Sequence, residues 1–346
     1  GFGATGHEPH TGSGRCRGPG DLPTDAARPA ADDDRFAIPK CLRNHAGIQR
    51  EPEPPLQPAP AIRRELLHID GHVVAADVYL PAGDDRPPVV FLHGILASLD
   101  LATELFVDPT AEPWIALSLP GHHPGRLPAA CAAANLDEDL FAHLYETALG
   151  RLIGSRRVIA TGWSTGGFAA LNLAIRQPQR VAAVASLAGF ASGRRIAGMM
   201  RWIVWLAGRP LGRLAMRCGL RLAAAWPGGY SLLLGFLAAN RRAAAWIPTE
   251  LIERMHHDFR LHDTDSLVTA LAALWPLDIT PRLGEIMVPA WIAGGTEDPA
   301  VPRSETRRIG NAIPQATLRL YERAGHLFFC EWLRHREDFA AWRRSL

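Results

Sequence analysis

The segment VIATGWSTGGFAAL, residues 158–171, places a serine at an abrupt change of chain pattern. A short apolar run typical of a buried strand ends near Gly162, and helical spacing begins directly after Ser164. Gly162 and Gly166 lie two residues to either side of the serine. A strand-to-helix turn this tight leaves no room for side chains at the two glycines and exposes the serine hydroxyl. The pattern therefore predicts a reactive serine at a helix N-terminus, with a simple capping serine as the alternative.

Strand-like and helix-like segments alternate along most of the remaining chain. Two strands are predicted to meet at Asp70–Gly71, a hairpin signal, and short apolar runs such as PPVVFL and PWIAL are typical of strands buried on both faces. The segment LDEDLFAHLYETALGRLI has helical spacing with acidic residues in its first turn. This alternation predicts an α/β fold with a mostly parallel sheet covered by helices on both faces. In such sheets the chemistry lies at the carboxyl ends of the strands.

Candidate partners for the serine follow two later strands. His326 comes after the predicted strand ATLRLY, and Asp298 comes after VPAWIAGG, with Glu297 as the alternative carboxylate. A serine nucleophile needs a histidine base, and the base needs a carboxylate to orient it. The chain order Ser164, Asp298, His326 fits that requirement.

An early strand leads into FLHGILAS, residues 91–98. Gly94 would let the chain pass close to the nucleophile, and the Ile95 N–H would then face a developing oxyanion. The Thr165 N–H, at the start of the helix after Ser164, is the second predicted donor. For His93 we expect a structural hydrogen bond.

Five motifs in this order, HGILAS, SLPGHH, GWSTGG, GGTEDPAVP and RAGH, resemble the α/β-hydrolase superfamily, in its lid-bearing serine esterase, lipase and thioesterase-like branch. The resemblance spans residues 62–346 and is weaker in the middle. It implies an α/β-hydrolase fold with a helical cap inserted after the sixth strand, and no cofactor or metal. It also implies that Ser164 is the nucleophile, His326 the general base, Asp298 its partner, and Ile95 and Thr165 the oxyanion donors.

The predicted substrate-binding residues are those next to this site and one on the cap. They are Gly94, Trp163, His123 and Trp202. In SLPGHH, His123 stands where the family commonly has a glycine.

Composition divides the chain into four predicted parts. Residues 1–60 are rich in Gly, Pro and charge, which predicts a disordered or loosely docked extension. Residues 61–189 and 276–346 form the two parts of the hydrolase core, and residues 190–275 form the helical cap.

Within the cap segment, residues 192–246 contain nine arginines and no acidic residue. Four of them recur every fourth position, at 209, 213, 217 and 221, beside an apolar helix face that includes Leu211, Leu214 and Leu222. Three interpretations stay open: a cap whose apolar face covers the site and whose arginines are solvated, a basic surface for an acyl carrier or coenzyme A, and a helix lying on anionic lipid. The uncharged stretch 222–240 is interpreted as two short buried helices.

The net charge of +2 gives no reason to expect a nucleic-acid partner. The five cysteines are scattered and form no Cys-x-x-Cys pair, which favours a reducing compartment. The first residues lack the pattern of a signal peptide. We therefore expect a cytoplasmic protein, with peripheral membrane association as an alternative.

The functional prediction is a serine hydrolase that cleaves an ester or thioester with an apolar acyl or alkyl group. Lactone hydrolysis, carbon–carbon bond hydrolysis, amide hydrolysis and acyl transfer use the same residues and remain alternatives. A non-enzymatic alternative is a membrane-surface or partner-binding protein that uses the basic cap.

Overall fold

The computed structural model describes residues 62–99, 112–235, 249–328 and 334–346. The extension predicted for residues 1–60 lies outside the described residues, as does Phe236 of the cap segment.

The described residues form an eight-stranded sheet in the order β1-β2-β4-β3-β5-β6-β7-β8. The strands β1 and β2 form an antiparallel hairpin at one edge, β2 is antiparallel to β4, and all later pairings are parallel. The strand bounds are β1 Arg63–Ile69, β2 His72–Tyr79, β3 Val89–Leu92, β4 Trp114–Leu117, β5 Val158–Trp163, β6 Val181–Leu187, β7 Ala290–Gly295 and β8 Ala316–Tyr321. The predicted hairpin at Asp70–Gly71 is confirmed, and so is the mostly parallel sheet.

Every residue of β3, β4, β5 and β7 is buried. Helices cover both faces of a parallel sheet, so its central strands have no solvent face and read as continuous apolar runs. That is why these strands were recognisable in the sequence without an alternating pattern.

Nine helices of more than two turns occur in the described ranges. Their bounds are α1 Glu138–Ile153, α2 Thr165–Arg176, α3 Gly198–Ala207, α4 Pro210–Ala225, α5 Pro227–Gly235, α6 Thr249–Leu261, α7 Thr264–Ala273, α8 Arg303–Ala312 and α9 Arg334–Arg344. The predicted acidic first turn begins α1, where the Asp137 side chain accepts the Leu140 N–H at 2.9 Å. The first eleven residues of α2 are all buried, because this helix packs on the sheet and also against α1.

Five of the helices, α3 to α7, are inserted between β6 and β7, where the sequence predicts a cap after the sixth strand. One expectation about this insertion is wrong. The apolar face of α4 does not turn towards the protein interior: Leu211, Leu214 and Leu222 are exposed. The stretch 222–240, expected to form two short buried helices, is buried only in part where it is described: Tyr230 and Leu234 are buried, whereas Trp226 and Leu232 are exposed. Residues 236–240 of that stretch lie outside the described ranges.

Within the ranges described, none of the helices has both the length and the apolar composition needed to span a bilayer. The predicted cytoplasmic location stays a prediction.

The glycine at 166 sets how closely α2 approaches β3. A Cβ at Gly166 would overlap the carbonyl group of Leu92, at the end of β3, whereas a Cβ at Gly150, on the exposed side of α1, would meet nothing.

We therefore expect Gly166→Ala to lower the free energy of unfolding by about 3 kcal/mol or more, through overpacking against a backbone that has little room to move. The control variant Gly150→Ala should instead raise it by about 0.5–1 kcal/mol, because alanine lowers the entropy of the unfolded chain and no contact opposes it. Urea unfolding followed by circular dichroism measures both. Equal effects of the two substitutions would contradict this account of the packing.

Candidate active site

Ser164 lies at a sharp corner between β5 and α2. Its backbone has φ 56° and ψ −116°, a region that residues other than glycine rarely adopt. Such a conformation costs about 1–3 kcal/mol and persists only where neighbouring contacts hold it. Two backbone hydrogen bonds do so here: the Ser164 N–H donates to Leu187 O at 2.9 Å, and the Phe168 N–H donates to Ser164 O at 3.1 Å.

The positions around the corner require glycine because neighbouring atoms lie too close to leave room for a Cβ. A Cβ at Gly162 would overlap the carbonyl of Gly166, within the same turn. A Cβ at Gly94 would lie 2.6 Å from Cε3 of Trp163 and 3.2 Å from Cβ of Ser164. The loop after β3 therefore passes directly over the corner, as the sequence predicts for Gly94.

His326 and Asp298 form a buried pair. His326 Nδ1 lies 2.7 Å from Asp298 Oδ2, and both side chains are almost fully removed from solvent. The other carboxylate oxygen of Asp298 accepts the N–H groups of Ala300 at 2.7 Å and Val301 at 2.8 Å. These bonds fix the carboxylate, which in turn leaves Nε2 as the free nitrogen of an oriented imidazole.

Glu297, the alternative carboxylate, is exposed and does not reach the histidine. Its backbone N–H donates to Ala324 O at 3.0 Å, which ties the loop after β7 to the loop after β8. The adjacent residue, Asp298, is therefore the one that turns inwards.

The loop after β3 is fastened to the loop after β4 by two reciprocal hydrogen bonds, which we call the histidine clasp. His93 Nε2 accepts the Leu119 N–H at 3.1 Å, and His122 Nε2 accepts the Leu96 N–H at 3.0 Å. The two rings lie edge to face with centroids 5.1 Å apart. Leu96 has a φ of 66°, so the clasp also holds a conformation that is unfavourable for a leucine.

Because both Nε2 atoms accept, the proton of each ring is on Nδ1, and the His93 Nδ1–H donates to Gly94 O at 2.8 Å. Burial lowers the pKa of His93 to about 4 and holds the pKa of His122 well below its ordinary value. Both rings are therefore neutral at neutral pH, which is the form that the clasp needs.

A third imidazole connects the clasp to the inserted helices. The ring of His262, which follows α6, lies 5.2 Å from that of His122. Its Nδ1 is 2.6 Å from Asp258 O, and its Nε2 is 3.3 Å from Ala97 O in the loop after β3. The insertion thus contacts the same loop that carries Ile95.

Ser164 and His326 both line one enclosed cavity beneath the inserted helices. The volume of this cavity is about 40 Å³, so little free space surrounds the serine. The remaining lining is almost entirely apolar and comes from the sheet loops and from the insertion: Ile95, Leu96, Ala97, Trp163, Thr165, Phe190, Ile196, Met200, Tyr230, Leu234, Met255, Leu274, Ala300 and Val301.

The predicted site residues divide into two groups. Ile95, Trp163 and Thr165 line the cavity together with Ser164 and His326. Trp163 also donates from Nε1 to His326 O at 3.0 Å.

Trp202 and His123 are not brought into this lining. Trp202 points outwards from α3, with 62% of its surface exposed. His123 is half-buried beside His262, with ring centroids 6.5 Å apart. The sequence does not indicate which side of a cap helix faces the cavity, so the direction of Trp202 could not be predicted from it.

Two features of the site were not predicted from the sequence. The clasp role of His122 was missed, although the spacing of His93 and His122 after neighbouring strands offered a signal. Tyr230 on α5 was also missed: it is buried in the cavity lining, and its hydroxyl has no hydrogen-bond partner among the described residues. Burial and the negative charge of Asp258 raise the pKa of Tyr230 above its ordinary value, so its hydroxyl keeps the proton.

Comparison with known proteins gives relatives with named activities. The chain is 27% identical to the "Putative carbamate hydrolase RutD" of Klebsiella pneumoniae over 211 residues, which is 60% of this chain and 70% of that protein. It is 38% identical to the protein of the same name from Pseudomonas syringae over 64 residues, 18% of this chain and only a quarter of the length of that relative.

Solved structures share the fold. The esterase RhEst1 from a Rhodococcus species superposes with a TM-score of 0.64 at 20% identity, covering 82% of this chain and 99% of the esterase. At this identity the likeness concerns the fold alone.

The family model described as the alpha/beta hydrolase family matches residues 89–342, from β3 to the last helix. Since this match includes the serine corner, the histidine and the carboxylate, the chain belongs to the alpha/beta hydrolase family.

Proposed function

We propose that this hydrolase is a serine hydrolase that cleaves an ester or thioester with an apolar acyl or alkyl group. The observation that carries the proposal is that Ser164, in its strained backbone conformation, and His326, paired with the buried Asp298, line the same apolar cavity.

In the proposed mechanism, Nε2 of His326 takes the proton of the Ser164 hydroxyl as the oxygen attacks the carbonyl carbon. Asp298 holds the imidazole through Nδ1 and stabilises its protonated form. The carbonyl oxygen becomes an oxyanion that accepts hydrogen bonds from the N–H groups of Ile95 and Thr165. His326 then protonates the departing alcohol or thiol, and water cleaves the acyl-enzyme by the same steps in reverse order.

Thr165 is suited to the oxyanion role by its position. It is the first residue of α2, where backbone N–H groups have no partner within the helix and the helix dipole favours negative charge. Ile95 is suited by the histidine clasp, because the bonds on either side of it, at Gly94 and Leu96, fix the direction of its peptide group.

The lining of the cavity supports an apolar substrate. Apart from the catalytic groups, Tyr230 is the one large side chain among the described lining residues that carries a hydroxyl group. An acyl or alkyl chain would therefore leave water and pack against Met200, Leu234 and Met255. Hydrolysis of lactones or carbamates uses the same residues, and the carbamate hydrolase name of the relatives makes a carbamate the second substrate class to test.

The acyl-carrier alternative receives less support. Three of the four regularly spaced arginines are already engaged: Arg209 stacks on Trp205, Arg213 donates to Ala207 O at 3.2 Å, and Arg217 pairs with Asp265. Of the four arginines only Arg221 is left without such a contact among the described residues, which leaves few charges for the recognition of an acyl carrier.

Ser164→Ala should reduce turnover of a short-chain p-nitrophenyl ester by at least about four orders of magnitude, because only background catalysis remains without the nucleophile. The thermal midpoint should stay close to that of the wild type. Intact mass after fluorophosphonate treatment should show one adduct in the wild type and in the control Ser304→Ala, which alters an exposed serine of α8, and none in Ser164→Ala. An adduct that persists in Ser164→Ala would refute the assignment.

The two neighbouring carboxylates should behave differently. We expect Asp298→Asn to lower kcat by about a thousandfold to ten-thousandfold, because an amide no longer stabilises the imidazolium. Glu297→Gln should leave kcat within about twofold, since surface substitutions of this kind have small effects. Steady-state kinetics on one ester distinguish the two variants, and a large loss in Glu297→Gln would show that the acid has been assigned to the wrong residue.

The clasp should act on kcat more than on KM. His122→Phe keeps a buried ring but removes the acceptor for the Leu96 N–H, and we expect kcat to fall by about tenfold to a hundredfold as the Ile95 N–H loses its direction. His122→Gln places an amide oxygen near the position of Nε2 and should restore part of that loss. His335→Phe, at a buried histidine in α9, is the matched control and should leave kcat unchanged. If the glutamine variant is no more active than the phenylalanine variant, the hydrogen bond is not what matters.

A further inference from the structure

The outward face of α4 is apolar. Leu211 is 84% exposed, the highest value for a large apolar side chain in the described residues, and Leu222 is 68% exposed. Leu214 and Cys218 lie between them and are exposed as well. Residues at these spacings share one side of a helix. The side continues into Trp226, 59% exposed, at the end of the helix.

We call this set, Leu211, Leu214, Cys218, Leu222 and Trp226, the α4 stripe. At 1.5 Å per residue it extends for about 22 Å along the helix. Large apolar side chains are also exposed on both neighbouring helices, at Trp202 on α3 and Leu232 on α5. Soluble proteins rarely leave a contiguous apolar area of this kind to water, and such areas usually mark an interaction surface.

Two arginines of α4, Arg213 and Arg217, lie on another side of the helix and anchor it to the protein. Arg213 bonds to the end of α3 at Ala207 O, and Arg217 pairs with Asp265 of α7. The orientation of α4 is therefore held by directed polar contacts. The exposure of the stripe follows from those contacts.

The segment that carries the stripe is rich in positive charge. The chain has no acidic residue from 192 to 246. Arg221, on α4 itself, and Arg201, on α3, are exposed and form no ion pair with a carboxylate of the described residues. An apolar helix face with tryptophan at its end and arginines beside it is the pattern of helices that lie at a membrane interface.

This charge also distinguishes between two partners that could cover the α4 stripe, a second copy of the chain and an anionic bilayer. A second copy of the chain, docked stripe to stripe, would bring Arg201 and Arg221 of both copies towards the same contact, where their like charges repel. Anionic lipid headgroups would instead pair with the same arginines while the leucine and tryptophan side chains enter the boundary between headgroups and acyl chains.

We propose that the α4 stripe binds the surface of an anionic bilayer, with α4 lying parallel to it. The neighbouring helices α3 and α5 contribute Met200, Tyr230 and Leu234 to the cavity, so a bilayer at this face would lie next to the helices that enclose the candidate active site. The proposal goes beyond the hydrolase function and does not depend on the role of Ser164.

Co-sedimentation of the full chain with phosphatidylcholine vesicles, with and without about one third phosphatidylglycerol, tests it. Binding should require the anionic lipid and weaken as salt is raised from 50 to 300 mM (~14 to ~6 Å Debye length). The double variant Leu211→Glu/Leu222→Glu should bind at least about tenfold more weakly, because two carboxylates would enter the interface. The matched control Met287→Glu changes an exposed methionine in the loop before β7 and should bind like the wild type.

Two further measurements keep the test decisive. Arg221→Gln should reduce the salt dependence without abolishing binding. Hydrolysis of a water-soluble ester should be the same in the double variant and the wild type, which separates loss of the surface from loss of the active site or of the fold. Equal sedimentation of the double variant and the wild type would overturn the proposal. So would light scattering that shows a wild-type dimer and a monomeric double variant, since the stripe would then join two copies of the chain.

Discussion

The backbone corner at Ser164 is the constraint on which the rest of the structure depends. Its positive φ is tolerated because β6 receives its N–H and α2 continues from its carbonyl, so three elements must be in place before the corner can form. The close approach of α2 to β3, which only glycine at 166 permits, brings the loop after β3 over the same point. Local strain at one residue is thus held by the packing of the central sheet.

The histidine clasp extends that order to the loop after β3, which carries Ile95. Neutral imidazoles can each accept one hydrogen bond and donate another, which lets two loops without regular structure satisfy their backbone groups in a buried place. His262 lies against His122 and contacts carbonyl oxygens of both the insertion and the loop after β3, so the position of the inserted helices and the direction of the Ile95 peptide are physically connected. The apolar cavity lies between these two parts and takes its shape from both.

The inserted helices show where amphipathic patterns mislead. Arginines at every fourth position of α4 resemble a solvated face, and the leucines beside them resemble a buried one. In the structure the leucines face outwards, while three of the arginines contact a ring, a carbonyl and a carboxylate of the protein, at Trp205, Ala207 and Asp265. Directed contacts with specific partners decide how such a helix is oriented, and the periodicity of the sequence does not reveal those contacts.

The sequence by itself determined the order of strands and helices, the corner at Ser164 and the positions of His326 and Asp298, because each depends on local rules. Buried parallel strands read as apolar runs, tight turns require glycine, and reactive side chains follow strand ends. Only the tertiary structure decided that Asp298 and not Glu297 faces the histidine, that His122 fastens the loop after β3, that Trp202 points away from the cavity and that the leucines of α4 face outwards. In each case the local sequence allows a side chain to point in either of two directions. Contacts between segments that are distant in the sequence select one of them.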